Sequence, residues 1–239
     1  MHYFPISLPF MLILFFIFLV LLILIEIGIL GYAYRRLGLN RRWVFALLLL
    51  SLLGSYINIP VYKLPPETLY KAGHVTFYGV QHVIPIVTHW PGTVIAVNIG
   101  GAIIPTLLSI YLIIRNRLFF RALLGIGIVT LVVHYLATPI RGVGIAEPIF
   151  IPPLVATAAA LIISRRLAPA LAYISGSMGT LIGADLLNIY RLQGLGAPVA
   201  SIGGAGTFDG IFMTGILAVL LAAIFSGRSR PEPDGGSQE

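Results

Sequence analysis

The sequence predicts an all-α membrane protein, a polytopic bundle of about seven transmembrane helices. Of its 239 residues, 58% are hydrophobic and only 10% are charged, and the mean hydropathy is +0.99. A soluble domain needs a polar surface that this composition does not supply, whereas a chain embedded in a bilayer needs little of it. Several apolar runs also approach or exceed the 18 residues that mark a membrane-spanning helix.

The apolar runs set the order of the predicted spans, each close to the usual length of about 17–25 residues. The spans are 8–30, 43–59, 92–114, 118–137, 149–164, 168–188 and 207–226. We expect the first to remain in the protein, because it lacks the basic start and cleavage site of a signal peptide. Residues 1–226 are thus predicted to form a single transmembrane domain, and the polar tail 227–239 is expected to be disordered in the cytoplasm.

The segment 76–90 does not fit a span. It is short, and Gln81, Pro85 and two histidines interrupt it. We expect it to be a re-entrant or interfacial segment.

The basic residues predict the orientation of the bundle. The chain has 15 of them and a net charge of +7, and they fall in short clusters between the apolar runs, as topology signals do. Eleven lie at one set of span ends: Arg35, Arg36, Arg41, Arg42, Arg115, Arg117, Arg121, Arg165, Arg166, Arg228 and Arg230. Lys63, Lys71, Arg141 and Arg191 lie at the other set. The positive-inside rule then places the N-terminus outside and the C-terminus in the cytoplasm.

This reading also predicts the surroundings of the protein. The expected location is the cell membrane, with the chain crossing it several times, and the expected partners are the lipid bilayer and a small solute or cation. A homo-oligomer is compatible with the sequence. Nucleic acid is not an expected partner, because the basic residues lie in short clusters between the spans, where they set the orientation in the membrane.

Several polar residues fall at the outer ends of the predicted spans. Ionisable groups at membrane depth are costly, by about 2.5–3.5 kcal/mol on insertion scales, so they usually face partners or water-filled cavities. The sequence therefore predicts a shallow polar cavity that opens to the outer face. Its predicted binding residues are Asn98, His134, Arg141, Glu147, Asp185, Asn188, Gly203, Gly204, Gly206 and Asp209.

The two aspartates of this set occupy opposite helix ends. Asp209 is predicted in the first turn of the last helix, where the helix dipole favours a carboxylate, and Asp185 in the last turn of the helix before it. The stretch "SIGGAGTFDGIF" also places glycines before a helix start, where backbone N–H groups form an anion-binding nest. Two structural alternatives stay open: Asp209 completes a helix turn capped by Thr207, and Asp185 pairs with Arg191 or Arg141.

Three classes of function follow. The first is binding or transport of a small solute or cation. The second is an intramembrane aspartyl-type hydrolase, in which Asp185 would be the catalytic acid and Asp209 the catalytic base that activates water. The third is a structural or assembly subunit. We expect no cofactor and no metal: the chain has no cysteine, and His74, His82 and His89 fit no metal-binding spacing.

Four motifs carry a resemblance to a known family. They are "IGGAIIP" (99–105), "TPIRGVGIAEP" (138–148), "AYISGSMGTLIGADLLN" (172–188) and "SIGGAGTFDGIFMTGI" (201–216). Together they resemble the prokaryotic integral-membrane family catalogued as domain of unknown function 1614, over roughly residues 98–220. The resemblance implies a multipass bacterial or archaeal membrane protein, and it implies no catalytic role for any residue.

Overall fold

The computed structural model describes residues 8–26, 37, 41–77, 80–142, 144–204 and 210–226. This part of the chain is mostly helical, which confirms the predicted class in its coarse form, and it also contains three small sheets that the prediction lacked. Asp209, Gly206 and the tail 227–239 lie outside the described residues.

Seven α-helices occur among the described residues. Proline lies in the first turn of three of them, at Pro105, Pro152 and Pro169. At Pro152, which no helix precedes, the missing N–H leaves no helical hydrogen bond unmade. The helices are α1 Leu8–Glu26, α2 Arg41–Gly54, α3 Ile104–Asn116, α4 Phe119–Leu136, α5 Ile151–Ile163, α6 Ala168–Thr180 and α7 Gly210–Phe225.

Irregular helical turns adjoin two of these helices, one before its helix and one after. A π-helical segment, Ile99–Ile103, leads into α3. After α6 the chain forms a second π-helical segment, Leu181–Asp185, followed by a 3₁₀ segment, Leu186–Leu192. We call Leu181–Asp185 the π segment below. Single π turns inside helices frequently mark functional sites.

Three helical runs of the described chain are long and apolar enough to cross a membrane: Ile99–Asn116, Phe119–Leu136 and Arg165–Leu192. Helices α5 and α7 are apolar but shorter. The outward faces carry large apolar side chains, and Leu131, for example, is 72% exposed. Such a surface suits lipid and not water.

Helix α6 is the centre of the bundle. Every residue of Ala168–Thr180 except Met178 is buried, and α6 packs against α3, α4, α5 and α7. Glycines make this packing close. A methyl group at Gly179 would lie 2.5 Å from Cβ of Val129, and one at Gly176 would lie 3.2 Å from Cγ2 of Thr214. Small residues at helix interfaces allow such approach of two backbones.

The sheets are built from connections between helices. Strand β4 lies between β1, to which it is antiparallel, and β7, to which it is parallel. Two antiparallel pairs, β2 with β3 and β5 with β6, complete the strands. The strands are β1 Asn58–Lys63, β2 Glu67–Phe77, β3 Val80–Trp90, β4 Val94–Asn98, β5 Thr138–Ile140, β6 Gly144–Ala146 and β7 Val199–Ile202.

The strands change three of the predicted segments. The second predicted span, 43–59, is helical only to Gly54 and enters β1 at Asn58; the third, 92–114, becomes helical only at Ile99, after β4. The segment 76–90 is mostly β3, one arm of a β-hairpin. For the two predicted spans the reason is physical: an apolar run of four to eight residues, rich in β-branched side chains, suits a strand as well as a buried helix.

Candidate functional site

Asp185 is the acidic group at the centre of the candidate site. It ends the π segment and so directly continues the buried central helix. Its Oδ2 accepts a hydrogen bond of 2.7 Å from the backbone N–H of Gly203. Among the described residues no ion pair forms at Asp185, and Arg191 lies over the ring of Tyr190 instead. The predicted alternative of an Asp185–Arg191 pair therefore has no contact to support it.

Gly203 has the backbone that this hydrogen bond requires. Its φ is +92°, and a Cβ there would lie 2.5 Å from the backbone N of Ala102, so no side chain fits. The sequence predicted an anion-binding nest of glycine amides here, and the anion at Gly203 is the Asp185 carboxylate. Gly204 also has positive φ, and its N–H donates to the Ser201 carbonyl oxygen at 3.2 Å.

A cavity of about 100 Å³ lies beside Asp185. Its walls come from β6, from the helical run that continues α6, and from β7 with the following turn. The lining is mainly apolar, and Asp185 is its only acidic residue among the described residues. The lining residues are Gly144, Ile145, Asp185, Ile189, Leu192, Val199, Ala200, Ser201, Ile202 and Gly204.

Glu147 is a second carboxyl group near Asp185. It follows β6, and its Oε1 lies 2.9 Å from where a Cβ on Gly210, the first residue of α7, would stand. Its Oε2 is buried and has no hydrogen-bond partner in the described part of the chain. Burial, and to a smaller extent the negative charge of Asp185, together raise the pKa of Glu147 from 4.5 to about 8.

Asn188 and His134 border the π segment. The Nδ2 of Asn188 donates to the carbonyl oxygens of Gly183 (2.8 Å) and Ala184 (3.0 Å), which braces the irregular turn. Gly183 packs against the end of α4: a Cβ added to Gly183 would lie 3.2 Å from the backbone N of His134. Within the described residues, His134 Nδ1 and Asn188 Oδ1 are buried and have no hydrogen-bond partner.

Asn98 takes a structural position. The sequence placed it inside a helix at the cavity, but it ends β4 and caps the first π turn by accepting from the Gly101 N–H at 2.9 Å. Its Nδ2 donates to the Ser55 carbonyl oxygen (2.7 Å) and to Asn58 Oδ1 (3.0 Å). The side chain is 1% exposed, and these bonds engage both ends of its amide.

Ser201 is a lining residue that the sequence analysis did not select. Its hydroxyl donates to Asn58 Oδ1 at 2.5 Å, so Asn58 joins the side chains of β4 and β7 across the sheet. The signal that would have identified it is the short run "VASI", which pairs in parallel with β4. Recognising that strand would have placed Ser201 next to the side chains of β1 and β4.

Three predicted site residues remain. Arg141 is exposed in the turn between β5 and β6 and does not line the cavity. Asp209 and Gly206 lie outside the described residues, so the proposed meeting of Asp185 and Asp209 stays a prediction.

The chemistry of the cavity suits a single positive charge. A carboxylate beside an apolar lining can pair with an ammonium or hold a proton, and the nearby Glu147 supplies a second proton-binding group. No group of three or more His, Cys, Asp or Glu able to hold a metal ion occurs among the residues that the structure describes.

The comparisons with known proteins identify a family. A family model described as "Protein of unknown function (DUF1614)" matches residues 52–221. This match confirms the resemblance seen in the four motifs and extends it towards the N-terminus. No curated protein and no solved structure matches the chain.

Proposed function

The chain belongs to the family described as "Protein of unknown function (DUF1614)", a description that assigns no activity, so we infer a function from the site. We propose that the protein binds a small organic cation in the cavity beside Asp185 and carries it across the cell membrane. The observation that supports this most is a carboxylate that continues the most buried helix and faces a cavity. Intramembrane acids usually mark substrate or ion pathways.

The lining supports an organic cation in preference to a bare metal ion. Hard cations such as Mg²⁺ and Ca²⁺ take six or more oxygen ligands, whereas the described lining offers one carboxylate, the Ser201 hydroxyl and mostly aliphatic side chains. A volume of about 100 Å³ holds a ligand of only a few non-hydrogen atoms. A short alkylammonium ion fits both conditions: its charge pairs with Asp185 and its alkyl group contacts Ile189 and Ile202.

The placement of charge along the bundle supports an outward-facing cavity. Arg115, Arg117 and Arg121 surround the α3–α4 turn, and Arg165 and Arg166 form the α5–α6 connection. The strands and the cavity belong to the alternate connections, at the other end of these helices. By the positive-inside rule the arginine end is cytoplasmic, and the cavity then opens to the outside.

Uptake into proteoliposomes tests the proposal. The purified chain would be reconstituted in lipid vesicles, and uptake of radiolabelled ethylammonium would be measured. We expect Asp185→Asn to reduce uptake at least tenfold, because the ammonium loses its counter-charge. Glu67→Gln is the matched control: the Glu67 carboxylate also accepts a backbone N–H, from Gly194 at 2.9–3.0 Å, but does not line the cavity.

Two outcomes would reject transport in favour of the other classes. Cleavage of a membrane-embedded peptide that is lost in both Asp185→Asn and Asp209→Asn, without ethylammonium uptake, would favour the hydrolase. If neither substitution changed uptake or cleavage and only stability fell, the structural-subunit alternative would hold.

A further inference from the structure

Glu147 is a partly buried acid, and one of its two carboxyl oxygens is buried without a hydrogen-bond donor among the described residues. Its Oε2 lacks a hydrogen-bond partner among the described residues, and its Oε1 packs against Gly210 at the start of α7. An ionised carboxylate without donors is costly to bury, so the neutral acid is favoured. This geometry distinguishes it from Asp185, whose Oδ2 accepts the Gly203 N–H.

We propose that Glu147 holds an exchangeable proton at neutral pH and that the charge on Asp185 controls its release. Neutralising the negative charge at Asp185 lowers the pKa of Glu147, so that part of the Glu147 population releases its proton to water. The extension to transport rests on the proposed function: a cation bound at Asp185 favours release of the Glu147 proton, which couples cation binding to proton release.

The groups around Glu147 make Asp185 its main electrostatic partner. Strand β6, which precedes Glu147, contains no titratable residue, and Arg141 beyond it is exposed. The described start of α7 brings only Gly210, and Asp209 before it lies outside the described residues. His134 contacts Gly183 of the π segment at the end of α4. Gly144 and Ile145 of β6 line the same cavity as Asp185, which places Glu147 next to that wall, and the negative charge of Asp185 raises the pKa of Glu147.

Linkage gives the direction of the coupling. The negative charge of Asp185 raises the pKa of Glu147, after the larger effect of burial, to about 8. A positive charge beside Asp185 cancels that contribution and lowers the pKa. By reciprocity, deprotonation of Glu147 strengthens cation binding at Asp185. Since neutralising Asp185 moves this pKa by roughly one unit, the apparent affinity for a cation rises by about tenfold in total, mainly between about pH 7 and pH 8, and is level on either side.

Infrared spectroscopy tests the proton without any solute. The carboxylic C=O band of the full-length protein would be recorded in lipid nanodiscs from pH 5 to pH 10. We expect a band at pH 7 that Glu147→Gln removes and the control Glu67→Gln keeps. Asp185→Asn should lower the midpoint of that band by roughly one pH unit, the effect of one nearby charge. Asp185→Ser repeats this measurement with a smaller side chain if Asp185→Asn does not fold.

The outcomes separate this inference from the proposed function. If Glu147→Gln leaves the pH 7 band unchanged, or if neutral residues at Asp185 leave its midpoint unchanged, the inference is wrong, even where ethylammonium uptake is observed. If the band behaves as expected and ethylammonium is never taken up, the controlled proton at Glu147 stands and the proposed solute is wrong. If both hold, ethylammonium should release about half a proton per bound cation between about pH 7 and pH 8, and Glu147→Gln should abolish that release.

Discussion

Gly183 offers a direct test of the packing that positions Asp185. A methyl group at this residue would lie 2.7 Å from the carbonyl oxygen of Thr130, 3.0 Å from Cβ of Val133 and 3.2 Å from the backbone N of His134. Two of these atoms belong to the backbone of α4 and cannot rotate away. Gly183→Ala must therefore push the π segment and α4 apart.

The expected cost is that of an overpacked interface, about 1–3 kcal/mol. For a chain of this size each kcal/mol lowers the melting temperature by about 2–4 °C, so Gly183→Ala should melt several degrees below the wild type. Gly127→Ala is the matched control, since Gly127 lies in α4 and a Cβ there meets nothing within 4 Å. This control should be neutral or slightly stabilising.

The assay is thermal unfolding of the three purified proteins in one detergent, followed by intrinsic fluorescence. Because the π segment carries Asp185, we also expect Gly183→Ala to weaken ethylammonium uptake at temperatures where the protein is still folded. Equal melting temperatures for Gly183→Ala and Gly127→Ala would refute the reasoning, because they would mean that α4 does not press on the π segment.

Two further predictions concern stability. The folded pKa of Glu147 lies above its ordinary value, so its contribution to stability is fully present below pH 4.5 and is lost as the pH rises to about 8. Glu147→Gln should leave the melting temperature unchanged at about pH 4 and raise it at pH 9, where the gain in free energy of unfolding is at most about 5 kcal/mol. A constant difference across pH would contradict the assignment. Asn98→Ala should destabilise the protein by roughly 2–4 kcal/mol, because the Gly101 N–H and the Ser55 carbonyl oxygen lose their hydrogen bonds to the buried amide. A melting temperature within 1 °C of the wild type would mean that water replaces the amide.

The sequence predicted best the helices that form from long apolar runs. The predicted spans 118–137 and 168–188 match α4 and the run from α6 into its irregular continuation, because 18 or more apolar residues have no common alternative to a helix. The strands were missed because each apolar piece of β1, β4 or β7 is only four to six residues long. At that length hydropathy does not distinguish a strand from the end of a helix.

The sequence also predicted the candidate site only in part. Counting positions from the span ends placed Glu147 and Asp185 at one level, and in the structure Asp185 lines a cavity together with β6, the strand that precedes Glu147. Depth alone could not tell which polar groups are used by the fold itself. Asn98 was grouped with the cavity, yet its amide is bonded within the sheet and the first π turn. Ser201 was passed over because its strand was not recognised.

The pairing of β4 with β7 has a consequence for how the protein is made. These parallel strands lie side by side although about a hundred residues separate them, and the chain between them contains four helices, α3 to α6. Helices can enter the membrane one after another during synthesis, but one wall of the Asp185 cavity comes from β7. A nascent chain that stops before residue 199 can therefore hold most of the bundle and still lack a cavity. The cavity therefore forms late, as a property of the finished chain.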